Sequence, residues 1–229
     1  MAGYINDILL TFESLIQPNL WLYQFYNYID MWYADNDYKL EISKNVSMNF
    51  GIQGVMQTAN GSNIVGQQTL FGTNIPAGTP SGNAIGLKWN INVPHDTISF
   101  SYNNVFGPAG SYLNGGLISP YTYAFETDPL YTTPALGSMA ELGSGSAFTF
   151  RNINKFLDNS LTFTASYSMF WVNKVYPTQA DLIEEWDATL RYNIPHTKFA
   201  TLARLVYYQQ PGYAGGNIFQ PRVIVTYVF

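Results

Sequence analysis

Apolar and polar side chains alternate one for one through long stretches of this chain. In LTFTASYSMFW, residues 161–171, Leu161, Phe163, Ala165, Tyr167, Met169 and Trp171 fall on one side, and Thr162, Thr164, Ser166 and Ser168 on the other. A period of two marks a strand with one oily and one wettable face. The same alternation runs through IGLKWNIN (85–92), TISFSYN (97–103) and EEWDATLRYNI (184–194). It predicts ten strands, over roughly 19–28, 31–40, 45–58, 83–93, 97–106, 146–154, 159–172, 183–194, 197–209 and 217–229, with residues 4–15 as a candidate eleventh. Many of these reach the roughly 9–11 residues that a tilted membrane-crossing strand needs, where strands of globular proteins centre on about five or six.

The connections fall into two alternating classes. Short ones carry Pro, His or Asn (16–19, 41–45, 93–96, 155–160 and 194–197), and long ones are Gly-rich and polar (59–82, 107–145, 173–182 and 210–216). Only the short link near Ile29 and Asp30 breaks the alternation. Strands running up and down then place every short turn at one end and every long loop at the other, the arrangement of an outer-membrane barrel.

Composition narrows the choice. Charged residues are only 11 % of the 229, and 18 Tyr, 15 Phe and 5 Trp stand beside abundant small polar residues. About 25 % charge is usual for soluble domains. A soluble β-sandwich or lipocalin-like barrel would also alternate, but its outward polar face would carry Lys and Glu; here that face is mostly Ser, Thr, Asn, Gln and Gly. Trp21, Trp32, Trp171, Trp186, Tyr213 and Tyr227 are candidates for interfacial aromatic girdles. The absence of cysteine excludes disulfides and zinc-thiolate sites. A net charge of −5 with no basic stripe argues against nucleic acid. The first residues lack the basic start and cleavage site of a signal peptide, which a mature chain, an engineered start or a fragment would each explain.

The chain ends on RVIVTYVF, with Val223, Val225, Tyr227 and Phe229 on one face of the last predicted strand. A terminal aromatic on such an alternation resembles the C-terminal signature by which Gram-negative outer-membrane proteins are recognised by the barrel assembly machinery. Four stretches, LWLYQFYNYIDMWYADNDYKL (20–40), ISPYTYAFETDPLYTT (118–133), EEWDATLRYNIP (184–195) with ATLARLVYYQ (200–209), and PRVIVTYVF (221–229), resemble the OprD family of substrate-selective outer-membrane porins, in particular its C-terminal half. The resemblance implies barrels of roughly 18 strands, monomeric or trimeric, narrowed by inward-folded loops and carrying a basic ladder that guides carboxylate-bearing solutes. Ten or eleven strands are too few for that barrel. The expected fold is therefore all-β, an antiparallel up-and-down transmembrane β-barrel in one domain (1–229), either the C-terminal portion of a longer porin or a smaller closed barrel.

Counting along strands places Arg191, Arg204 and Arg222 together on the inward face of three consecutive strands, with Glu185 and Asp187 nearby. Lys88 and Arg151 join the polar faces of earlier strands. These basic groups form a candidate anion-guiding wall, because guanidinium pairs with carboxylate through two hydrogen bonds and stays charged. The alternative is a brace in which the arginines pair with Asp35, Asp37, Glu185 and Asp187 across the lumen. Residues 107–145 are the longest non-strand segment, and loops of that length tend to be functional. Tyr121, Tyr123, Glu126, Asp128 and Tyr131 are the candidate lining of a constriction, against a surface cap as the alternative.

Catalysis finds little support. His95 and His196 each follow a proline in a predicted turn, and GSGS (143–146) leads into a strand with no helix to cap a phosphate. The expected protein conducts small, anionic solutes across the bacterial outer membrane with no cofactor or metal, its partners being membrane lipids, the assembly machinery, the solutes and a homo-oligomer. A non-conducting structural or adhesive barrel is the alternative.

Overall fold

The computed structural model describes residues 18–25, 29–61, 68–70, 73–75, 78–118, 129–175, 180–210 and 216–227. Among these residues twelve strands form: β1 (Asn19–Phe25), β2 (Ile29–Ser43), β3 (Val46–Ala59), β4 (Gln68–Leu70), β5 (Thr73–Ile75), β6 (Asn83–Val93), β7 (Asp96–Phe106), β8 (Gly145–Phe156), β9 (Leu161–Val172), β10 (Leu182–Asn193), β11 (Phe199–Gln209) and β12 (Ile218–Tyr227). Ten of them make one antiparallel meander in the order β1-β2-β3-β6-β7-β8-β9-β10-β11-β12. The pair β4 and β5 is a small separate hairpin inside the loop that the pattern predicts over 59–82. Alternation locates strands and misses this hairpin because three residues are too few to show a period. The candidate strand at 4–15 lies outside the described residues.

The two faces of the sheet reverse the order of a soluble protein. Leu87, Ile52, Val223 and Phe219 stand exposed on one face, Val223 at 79 %. Gln53, Ser101, Asn103, Thr149, Ser166, Ser168 and Asp187 are buried on the other. An apolar surface of this extent belongs against lipid or another protein. The reversal removes the support for a soluble sandwich.

Register adds a feature that alternation alone does not show. Tyr38 pairs with Phe50, Phe50 with Trp89, Trp89 with Phe100, Phe100 with Phe150, Phe150 with Tyr167, Tyr167 with Trp186, Trp186 with Tyr207 and Tyr207 with Phe219. One unbroken row of aromatics thus crosses the outward face from β2 to β12. Neighbouring ring centroids lie 6.2 Å apart for Phe50 and Trp89, 5.6 Å for Trp89 and Phe100, 5.3 Å for Phe100 and Phe150, and 4.0 Å for Tyr167 and Trp186. The row is oblique: Phe50 sits near the short-turn end of β3, whereas Phe219 sits at the long-loop end of β12. Of the girdle candidates, Trp32, Trp171, Trp186 and Tyr227 are exposed on the outward face. Trp21 is a correction, since it pairs with Tyr33, whose neighbour Val55 faces inward. Tyr213 lies outside the described residues.

Short turns close the β2–β3, β6–β7, β8–β9 and β10–β11 hairpins at one end, as the pattern predicts. At the other end the loop after β7 folds back as a turn of 3-10 helix (Tyr112–Asn114), then as residues 129–144 with the short helix α1 (Met139–Leu142). Gly115 ends the 3-10 turn at φ 93°, a left-handed conformation that glycine adopts without steric cost. Leu117, Leu130, Met139, Ala140 and Leu142 from the loop bury against Met31, Val55, Ala84, Val105, Ala147, Phe170, Val172 and Ile183 of the sheet. The core therefore lies between the inner face and its own loop.

Candidate functional site: the inner wall and its strap

Among the apolar inward residues of the wall stand polar side chains, and several of these grip the loop by its backbone. Gln57 on β3 accepts the Ile118 N–H at 2.8 Å and donates to the Ile118 carbonyl at 2.5 Å. Gln53 accepts the Tyr131 N–H at 3.1 Å. Asn103 on β7 accepts from the Thr132 N–H and hydroxyl, both at 3.0 Å. On β8, Thr149 donates to the Thr132 carbonyl at 2.8 Å and Arg151 to the Thr133 carbonyl at 3.2 Å. On β10, Asp187 accepts the Ala135 N–H at 3.4 Å, and Glu185 accepts the N–H groups of Leu136 and Gly137 at 2.7 and 2.6 Å. Residues 129–137 thus run as a strap across the inner face from β3 to β10.

The acidic pair departs from the sequence reading. Glu185 and Asp187 are expected to line an open lumen, but Glu185 is fully buried and Asp187 nearly so. The physical reason is the strap, whose unpaired N–H groups need acceptors once removed from water. Asp187 also accepts from the Ser166 hydroxyl at 2.9 Å.

On the opposite flank, Lys88 meets Asp37 at 3.0 Å and lies 4.4 Å from the centre of the Tyr131 ring. Part of the predicted brace is present here, with lysine in place of arginine. The Tyr131 hydroxyl donates to the Ile52 carbonyl at 3.3 Å. Burial, then the Asp37 and Asp35 carboxylates, push its phenol above the ordinary value. Asp35 itself accepts from Asn19 at 2.7 Å and from the Tyr33 hydroxyl at 2.8 Å.

The three arginines come together as the strand counting predicts. Arg204 and Arg222 are direct cross-strand partners on the inner face of β11 and β12. Arg204 donates to the Thr189 hydroxyl at 3.2 Å. Arg191 follows two residues along β10 from Thr189, paired with Leu202, and donates to Asn193 at 3.3 Å. Cross-strand partners sit about 4.5–5.5 Å apart at Cα, so two guanidinium-bearing side chains rise side by side.

No family model and no curated protein matches the sequence. Solved structures do match the fold. OccK8 (OprE) of Pseudomonas aeruginosa superposes with a TM-score of 0.70 at 12 % identity, over 92 % of this chain and 54 % of its own. OprD of the same organism gives 0.67 at 13 % identity, over 92 % and 55 %. OccAB3 of Acinetobacter baumannii gives 0.65 at 15 % identity, over 93 % and 52 %. The fold is about half of an OprD-type barrel. At these identities the likeness is one of fold, and the chain spans about half the length of the proteins it matches.

On this OprD-type half-wall, Lys88, Arg151, Arg191, Arg204, Arg222, Asp35 and Asp37 all take inward positions, as alternation requires. Tyr131 alone among the constriction candidates is described; Tyr121, Tyr123, Glu126 and Asp128 lie outside the described residues, as does Phe229. Tyr227 is on the outward face with its ring 4.9 Å from Phe199. Gln53, Asn103 and Thr149, which hold the strap, and Gln57, which holds Ile118, are not found from the sequence because charge is what stands out there. Their signal is faint but present: amides and hydroxyls recurring on the polar side of strands that also carry a long loop.

Proposed function

We propose that this chain forms part of the wall of a bacterial outer-membrane channel that passively passes small anionic solutes bearing a carboxylate. The observation that carries the reading is the in-register pair Arg204 and Arg222 with Arg191 beside them. Like charges directly opposite each other on a sheet are destabilising, so the arrangement gains a rationale when anions pass between them. Weak, repeated sites let an ion both enter and leave. Two of the fold matches support the solute class: OccK2 (OpdF) was solved in complex with glucuronate and OpdK with vanillate, both carboxylates. In this reading the ten strands are the C-terminal portion of a longer barrel, and β1 and β12 join further strands, since an open edge in lipid would leave backbone groups unsatisfied. The assembly machinery, lipids and a homo-oligomer are the partners that go with it.

The test is single-channel current in a planar bilayer under a salt gradient. Openings whose reversal potential shows anion preference are expected, with that preference reduced several-fold in Arg204→Ala/Arg222→Ala. A folded, heat-modifiable protein that stays silent would favour the second reading, a non-conducting structural barrel, for which the apolar cluster beneath the strap speaks.

A further inference from the structure

We propose that Glu185 is the positioning residue of the strap, a latch whose carboxylate fills a backbone site that would also take a carboxylate from solution. Two consecutive N–H groups, of Leu136 and Gly137, converge on its two oxygens at 2.7 and 2.6 Å. Adjacent backbone N–H groups aimed at one point form an anion-binding concavity, and here both oxygens of one side chain are held at once. The other side chains that hold the strap, Gln53, Asn103, Thr149, Arg151 and Asp187, do not clasp two consecutive N–H groups in this way. Glu185 is also the latch at the far end of the strap from β3, so losing it leaves the span between Thr133 and Ser138 held by Asp187 at Ala135 alone among the described wall contacts.

The seat is shaped for a carboxylate held close to the backbone. A Cβ on Gly137 would come within 2.8 Å of the Tyr208 ring and 3.0 Å of the Glu185 carboxylate. Only a glycine lets the backbone approach the acid so closely. Asp187 stands two residues along the same face, accepts the neighbouring Ala135 N–H, and has Arg204 as its diagonal neighbour on β11, where Val206 is its direct partner. The strap is therefore tied through Asp187 to the arginine wall, and a carboxylate drawn to that wall meets the latch next. Solute carboxylates and Glu185 compete for the same two N–H groups, which makes strap position responsive to the solute class. This consequence for passage rests on the channel reading; the latch does not.

The experiment reads both separately. Amide hydrogen exchange of residues 133–138 is measured on folded protein in detergent, for the parent and for Glu185→Ala, in sodium acetate and in sodium chloride at equal ionic strength. Alanine removes the atoms that acetate can replace. Exchange in the strap is expected to accelerate at least tenfold in the variant, with β9–β11 amides unchanged, and acetate but not chloride should restore most of the protection. Unchanged exchange overturns the latch, and acceleration indifferent to acetate overturns the carboxylate site. Should Glu185→Ala loosen the whole sheet, Gly137→Ala, which keeps every acid, takes its place: strap exchange must rise, and a parent-like rate overturns the proposal. In bilayers the same Glu185→Ala variant should conduct more than the parent and be narrowed again by acetate. A parent protein that does not conduct removes the channel reading and leaves the exchange result standing.

Discussion

Tyr131 shows how one side chain acquires chemistry from its neighbours. Its phenol lies in the strap, against Lys88 and near Asp37 and Asp35. Burial and the two carboxylates favour the neutral form, so the folded value is raised above the ordinary one of about 10. Stability from this contact is therefore full below about pH 10 and is lost as pH rises through the raised value, because the released tyrosine ionises first. A phenolate absorbance titration of the parent minus that of Tyr131→Phe should show a tyrosine ionising above the ordinary value, and an ordinary difference curve would refute the contact. The inward placement of Lys88, Asp37 and the arginines was legible in the alternation. That Lys88 rather than an arginine pairs with Asp37 was not, because pairing depends on register and on where a loop returns, neither of which is local.

Strands are the scale at which the sequence speaks most clearly here. Nearly every boundary predicted from period two falls within a few residues of the observed one, as β6 and β9 illustrate. The oblique aromatic row, by contrast, emerges only when strands are set in register, since Phe50 and Trp89 are far apart along the chain. Such pairs are worth about 0.5–1.5 kcal/mol beyond the area they bury, and their succession over adjacent strands penalises a register slip, which would send every side chain to the other face. A double-mutant cycle on Trp89 and Phe100, by urea unfolding in a lipid-like environment, should give a coupling of about 0.5–1 kcal/mol. The same cycle on Leu87 and Phe219, which share no contact in the sheet order, should give none.

For the molecule as a whole, the decisive property is which face meets lipid. Leu87 is exposed in the middle of β6, whereas Thr164 of β9 points inward opposite Thr189. Leu87→Lys is expected to cost about 2–4 kcal/mol in a bilayer, while Thr164→Lys should leave unfolding nearly unchanged; equal costs would contradict the assignment of faces. The sequence by itself determined the strands, their two-faced character, the division of short turns from long loops and the inward set of charged residues. Those are local properties, set by the period of the side chains and by turn residues. Only the tertiary structure decided that Glu185 and Asp187 serve the strap instead of an open lumen, that Arg204 and Arg222 stand directly opposite, and that the aromatics form one row. Each of these depends on which strand lies beside which, and on a buried loop backbone seeking acceptors from residues some fifty positions away.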